Sequence, residues 1–202
     1  MNKFFTNLSR ILFVILIGFE LLNELGILNF TLTFTWLGLI VTAAAVWIGL
    51  ELFSFYSGRD CPPSSLKTGF GLAMLLAVAL VYFDAMGDIF LFYAKLGWYD
   101  RLGHFMGGAI VAIIFFSVIR NLFACRRLYL SPLATGFFIT ASATFLGVLY
   151  ELEEYFEDML TGSSRLGDAL DTANDLFLDL TGAAIIALIT SLYVYRKSRS
   201  AN

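Results

Sequence analysis

One histidine and a concentration of carboxylates stand out in an otherwise apolar chain. His104 follows Asp100 by four residues, Asp84 and Asp88 are four apart, Glu151 and Glu154 three apart, and Asp168, Asp171, Asp175 and Asp179 form a D-x-x-D-x3-D-x3-D run. Residues three or four apart share one face of a helix, so each set presents its acids to one side. Like charges at that spacing repel, whereas a cation bridging them reverses the sign. Hard carboxylate oxygens with a single imidazole suit Mg²⁺, Mn²⁺ or Ca²⁺, and Zn²⁺ is reachable through His104. Asp84, Asp88, His104, Glu151, Glu154, Asp168, Asp171, Asp175 and Asp179 are therefore the candidate metal ligands. His104 is also the candidate general acid or base, with Asp100 one turn away to orient it.

The stripe on the Glu151 segment reads Thr140, Thr144, Gly147, Glu151, Glu154 and Asp158; Glu153 and Glu157 fall off it and are expected to be solvated. Glu20 and Glu24 read as an interfacial anchor. Gly103, Gly107 and Gly108, with Gly182, Ala183 and Ala184, are small enough to let two helices approach closely. Cys61 and Cys125 have no C-x-x-C spacing, so neither a zinc knuckle nor a redox pair is indicated. There is no G-x-S-x-G, H-E-x-x-H, Walker lysine motif or set of paired-histidine boxes.

The elements that must position these groups follow from composition. Of 202 residues, 59% are hydrophobic and only 14% charged, with a mean hydropathy of +0.80. A charged share near a quarter is usual for soluble domains, so that class is excluded. A net charge of −3 offers no basic face to nucleic acid. Apolar runs at about 10–28, 33–55, 69–94, 103–120, 132–156 and 172–195 are long enough to span a bilayer. Their length without polar alternation excludes a barrel. The expectation is an all-α polytopic fold with six transmembrane helices, forming a single domain over 1–202. Lys3 and Arg10 flank the first run as in a signal sequence, but no small-x-small site follows, so it reads as a retained span.

Ten of the thirteen Lys and Arg residues fall on one side of this topology, leaving Lys95, Arg101 and Arg165 on the other. The positive-inside rule then places both termini in the cytoplasm and the chain in the inner membrane. Nearly all the acids, Glu51 and Asp60 excepted, land at the outward side, with Asp179 about 10 Å inside its helix. A charge at the bilayer centre costs roughly 2.5 to 3.5 kcal/mol, so several on one side call for compensation. That compensation is a bound cation, protonation, or pairing with the three outer cations, which are too few for so many acids. An inverted three-plus-three repeat is disfavoured, because Asp84/Asp88 and Asp175/Asp179 fall in the same half.

The strings YDRLGHFMGG, YELEE and GDALDTANDLFLDLTGA carry a resemblance. Through Asp100, Arg101, Gly103, His104, Phe105 and Gly108, then Tyr150, Glu151 and Glu154, then Gly167, Asp168, Asp171, Thr172, Asp175, Gly182 and Ala183, the chain resembles the YjdF-type family of bacterial and archaeal inner-membrane proteins, and more distantly the VanZ-like proteins. The resemblance covers roughly 98–184. It implies a small helical membrane protein of the cell envelope, and VanZ-like members are associated with glycopeptide-antibiotic tolerance.

The leading expectation is a divalent-cation site, facing outward, that acts on an envelope lipid or lipid-linked phosphate by hydrolysis or transfer. A cation- or proton-coupled transporter, lined by Asp84, Asp88, Asp175 and Asp179, is the second reading; it needs polar groups in the inner half, where Glu51, Thr140 and Thr144 are the chief ones. A non-catalytic module that stabilises a membrane partner or a second copy of the chain is the third.

Overall fold

The computed structural model describes residues 2–58, 66–124 and 130–199. Cys61 and Cys125, together with Arg59, Asp60, Arg126 and Arg127, lie outside them. The described elements are all helical: α1 (Asn2–Glu24), α2 (Trp36–Gly58), α3 (Leu66–Ile89), the short α4 (Phe92–Lys95), α5 (Tyr99–Ala124), α6 (Pro132–Thr161) and α7 (Ala169–Arg199). Six of these, all but α4, are long and apolar enough to cross a membrane.

Local chemistry moves several boundaries from where hydropathy alone puts them. α1 stops at Glu24 rather than near 28, because Gly26 adopts a left-handed φ of 70° and the Asn23 side chain accepts from the Phe30 N–H. The third run is broken at Leu91, whose φ of 59° is costly for a branched residue and ends α3 before α4 begins. α5 begins at Tyr99, four residues earlier than expected, which brings Asp100 inside the helix one turn below His104. α6 starts on Pro132 with Ser131 as its cap, the hydroxyl accepting from the Ala134 N–H at 3.2 Å. It runs on to Thr161 and so carries Glu157 and Asp158 within the helix, where the hydropathy boundary at 156 leaves them out.

α5 is the central element. Its most extensive contact is with α7, and α3 and α6 flank it. A Cβ on Gly108 would strike the backbone of Asp179, and one on Gly182 would strike the Phe105 carbonyl and the Ala109 N–H. The expected small-residue contact is thus an α5–α7 contact, and it brings two polar stretches to the same level. A second apolar core joins α1, α2 and α3 around Phe13, Leu39, Met74 and Val78, all fully buried. α2 touches α5 and α6 only lightly. Large apolar side chains such as Ile11, Leu133, Phe137 and Ile189 point outward, as a hydrocarbon surround requires.

Candidate functional site

The acids gather at the end of the bundle opposite the chain termini, in two clusters that the linear spacing did not separate. The first surrounds His104, which is buried in α5. Nε2 faces Asp100 Oδ1 on the preceding turn and Glu151 Oε1 from α6, both at 3.7 Å. Nδ1 faces Asp179 Oδ2 from α7 at 3.4 Å. Asp175, one turn before Asp179, completes the set: one ligand atom each from Asp100, His104 and Asp175 lie within 4.8 Å of one another. Both Glu151 oxygens and Asp175 Oδ1 are buried without a hydrogen-bond partner. Buried carboxylate oxygens in that condition are costly and call for a proton or a partner of opposite charge.

Glycines make the room. The Asp179 carboxylate fills the space that a Cβ on Gly147 would occupy, and lies 3.7 Å from the Cβ position of Gly107. Gly107 of α5 and Gly147 of α6 therefore form a cradle for one carboxylate, beside the helix contact at Gly108. The expected orienting partner of the imidazole also changes. Asp179, not Asp100, sits on Nδ1, while Asp100 and Glu151 share the Nε2 side.

The second cluster surrounds Arg165, in the loop between α6 and α7. Its Nε donates to Glu154 Oε1 at 3.0 Å, and its NH2 group donates to Asp84 Oδ1 at 2.9 Å and to the Tyr150 hydroxyl at 2.6 Å. Glu157 Oε2 lies 3.8 Å from NH1, and the Phe34 and Tyr150 rings face the guanidinium at 5.5 and 5.7 Å. Burial would lower the Arg165 pKa, but Asp84, Tyr150 and Glu154 more than offset it and hold the guanidinium charged, well above the ordinary arginine value. Tyr93 donates to the same Asp84 oxygen at 2.6 Å. Its own phenol is pushed well above the usual range by burial and then by the Asp84 charge, so it stays a donor. Asp158 builds the loop that carries Arg165, accepting from the Arg165 N–H at 2.8 Å, the Leu166 N–H at 3.1 Å and the Ser163 hydroxyl.

Three expectations are corrected here. Glu157 is buried rather than solvated, accepts a hydrogen bond from the Thr35 hydroxyl, and occupies the space left by Gly38. A spacing of three from Glu154 already put it on that face, a signal the 151–154–158 stripe obscured. Glu20 is fully enclosed rather than interfacial, and neither of its oxygens has a hydrogen-bond partner. Glu153 is half-buried rather than solvated, with its Oε2 enclosed and without a hydrogen-bond partner.

Of the nine candidate ligands, His104, Glu151, Asp175 and Asp179 converge, and Asp100 joins them. Asp84 and Glu154 are taken up by Arg165. Asp88 accepts from the Thr33 and Phe34 N–H groups at 2.7 and 2.8 Å and so holds the α1–α2 loop. Asp168 caps α7, accepting from the Leu170 and Asp171 N–H groups, and Asp171 packs against Gly167. On the termini side, Glu51 is held by Arg10 at 2.6 and 2.7 Å, which takes up the main inner acid that a transport path needs.

The family model described as predicted membrane protein (DUF2238) matches residues 64–196. The chain belongs to that family. The DUF2238 match runs from just before α3 to near the end of α7, and so contains His104, Arg165 and all their carboxylate partners. An uncharacterized protein of Thermotoga maritima is 26% identical over 125 residues, covering 61% of this chain and 62% of that protein's length. No solved structure matches.

Proposed function

We propose that this DUF2238 protein holds a divalent cation at Asp100, His104 and Asp175, with Glu151 beside them, and uses it on a lipid or lipid-linked phosphate at the outer face of the inner membrane. The observation that carries the reading is the meeting of those three ligand atoms within 4.8 Å, beside buried Glu151 and Asp175 oxygens that have no hydrogen-bond partner. One nitrogen with carboxylate oxygens fits Mn²⁺, Mg²⁺ or Zn²⁺. Nε2 is the ligating nitrogen, since Asp100 and Glu151 face it, and Asp179 on Nδ1 fixes the tautomer in the manner of a carboxylate behind a ligating histidine. A cation so placed supplies charge to polarise a phosphate or to activate a water. The chain's own groups orient the imidazole and keep a dry wall beside it. The strings around Asp100, Tyr150 and Asp168 support kinship with the YjdF-type members, and the lysine and arginine distribution supports cytoplasmic termini.

Elemental analysis of detergent-purified protein tests this. We expect stoichiometric metal in the wild type, loss in Asp175→Asn and His104→Ala, and retention in Asp88→Asn, whose side chain serves the α1–α2 loop. Asp179→Asn should weaken Mn²⁺ binding roughly 10- to 100-fold, the effect of removing a partner behind a ligand. Metal-free wild type, or equal metal in all variants, overturns the reading.

A further inference from the structure

Beside the His104 cluster lies a cavity of about 480 Å³, bounded by α2, α3, α5 and α6. Its polar lining is Asp84, Tyr93, Asp100, His104, Tyr150 and Asp179, with Thr42 of α2 and Glu153 of α6 on the facing walls; the remainder is apolar, down to Phe53, Ile114 and Phe115. From Asp100 to Phe115 along α5 the cavity extends about 22 Å, more than the depth of one leaflet's hydrocarbon.

The cavity also has a side door. Val41 of α2 and Leu146 and Leu149 of α6 line it and are 44, 38 and 44% exposed, so the cavity is not closed over at this wall. α2 and α6 barely touch. The gap between them therefore opens into the surrounding hydrocarbon, where what can enter is a molecule dissolved in the membrane. A solute from water would instead have to pass the buried acids.

We propose that the cavity takes one hydrocarbon chain of a phospholipid, admitted between α2 and α6, with the lipid's phosphate brought to the His104 end. This rests on the cation reading above and assigns its substrate class: a phosphate-bearing membrane lipid recognised through its chain as well as its head. Shape supports a lipid, since a long apolar slot with charge at one tip matches an amphiphile. The openness of the side wall supports entry from the bilayer.

The test uses phosphatidic acid carrying a diazirine at the end of one acyl chain, mixed into phosphatidylethanolamine and phosphatidylglycerol vesicles that hold the full chain. After illumination, labelled residues are mapped by mass spectrometry. Label is expected on inward residues such as Leu80, Val111 and Ile114, and to fall at least tenfold in Gly49→Phe. Gly49 lines the cavity, and a Cβ there meets nothing within 4 Å, so the position has room for a larger side chain at its base. Ala45→Phe is the second blocking variant, and Ile48→Phe, on the exposed face of α2, should leave the label unchanged. Labelling confined to outward residues such as Ile48 and Leu52, or unaltered in both blocking variants, overturns the proposal. Metal content separates the two readings. Chain labelling that the blocking variants abolish in a metal-free protein upholds the slot and removes the cation, whereas stoichiometric metal with unblocked labelling does the reverse.

Discussion

Arg165 sits fully enclosed among Asp84, Glu154 and Glu157, and it cannot be removed without leaving those acids without their cation. Breaking a buried ion pair from one side costs about 3–5 kcal/mol, most of it the penalty on the charges left behind. Arg165→Met should therefore lower thermal stability in detergent sharply, and Arg165→Lys should recover only part of it, because an ammonium cannot span Glu154 and Asp84 with a planar fork. A circular-dichroism melt that leaves Arg165→Met at the wild-type midpoint would show that the three acids do not depend on the guanidinium. His104 differs in kind. Its partners outnumber the hydrogen bonds an imidazole can make, and the excess oxygens around it are what a cation would satisfy. Glu154 was legible as a member of an acidic face; that it serves Arg165 while Glu151, three residues earlier, serves His104 depends on a loop residue whose position no helical spacing encodes.

At the scale of elements, the close approach of α5 to α7 sets the site, because it decides how near Asp175 and Asp179 come to His104. Gly108 is the point of contact. A Cβ there meets main chain rather than a movable side-chain tip, so Gly108→Ala must push the two helices apart. The variant should lose thermal stability and bound Mn²⁺ together. Gly18, in α1, has nothing within 4 Å of its Cβ position, and Gly18→Ala should be neutral or stabilising by up to about 1 kcal/mol through reduced backbone freedom. Equal melting temperatures for the two alanine variants would refute the glycine contact. The helical faces were readable because period 3.6 needs only the local chain. The breaks at Gly26 and Leu91 were not, since hydropathy runs through both and left-handed backbone at a leucine is a tertiary compromise.

Among the described residues the molecule is asymmetric along its long axis, with the acids other than Glu51 at the end opposite the termini and most Lys and Arg toward the termini. The positive-inside rule turns that into a sidedness. Fluorescent-protein fusions at both termini should glow and alkaline-phosphatase fusions at both should be inactive, whereas a phosphatase fused within the α6–α7 loop should be active; the opposite pattern would put the acidic clusters in the cytoplasm. The bundle is asymmetric across its width as well. α3, α5, α6 and α7 pack around the polar clusters, while α2 stands off from α5 and α6 and leaves the apolar slot. Four of the six membrane-length helices, α3, α5, α6 and α7, thus carry a charged side chain into one of the two clusters, yet the slot is also walled by α2, which contributes none of those charges.

What the linear chain determined by itself was the solvent: its apolar runs, scarce charge and helical spacing dictated an all-α membrane bundle and put the acids at one end, because hydrocarbon allows few ways to satisfy a backbone. It also named His104, Asp100 and Asp175 as neighbours in chemistry. Only the tertiary structure decided which acids belong together. Like carboxylates on adjacent turns are equivalent in sequence, and they become partners of a histidine, an arginine clamp or a helix cap according to which helix, loop or glycine cradle faces them.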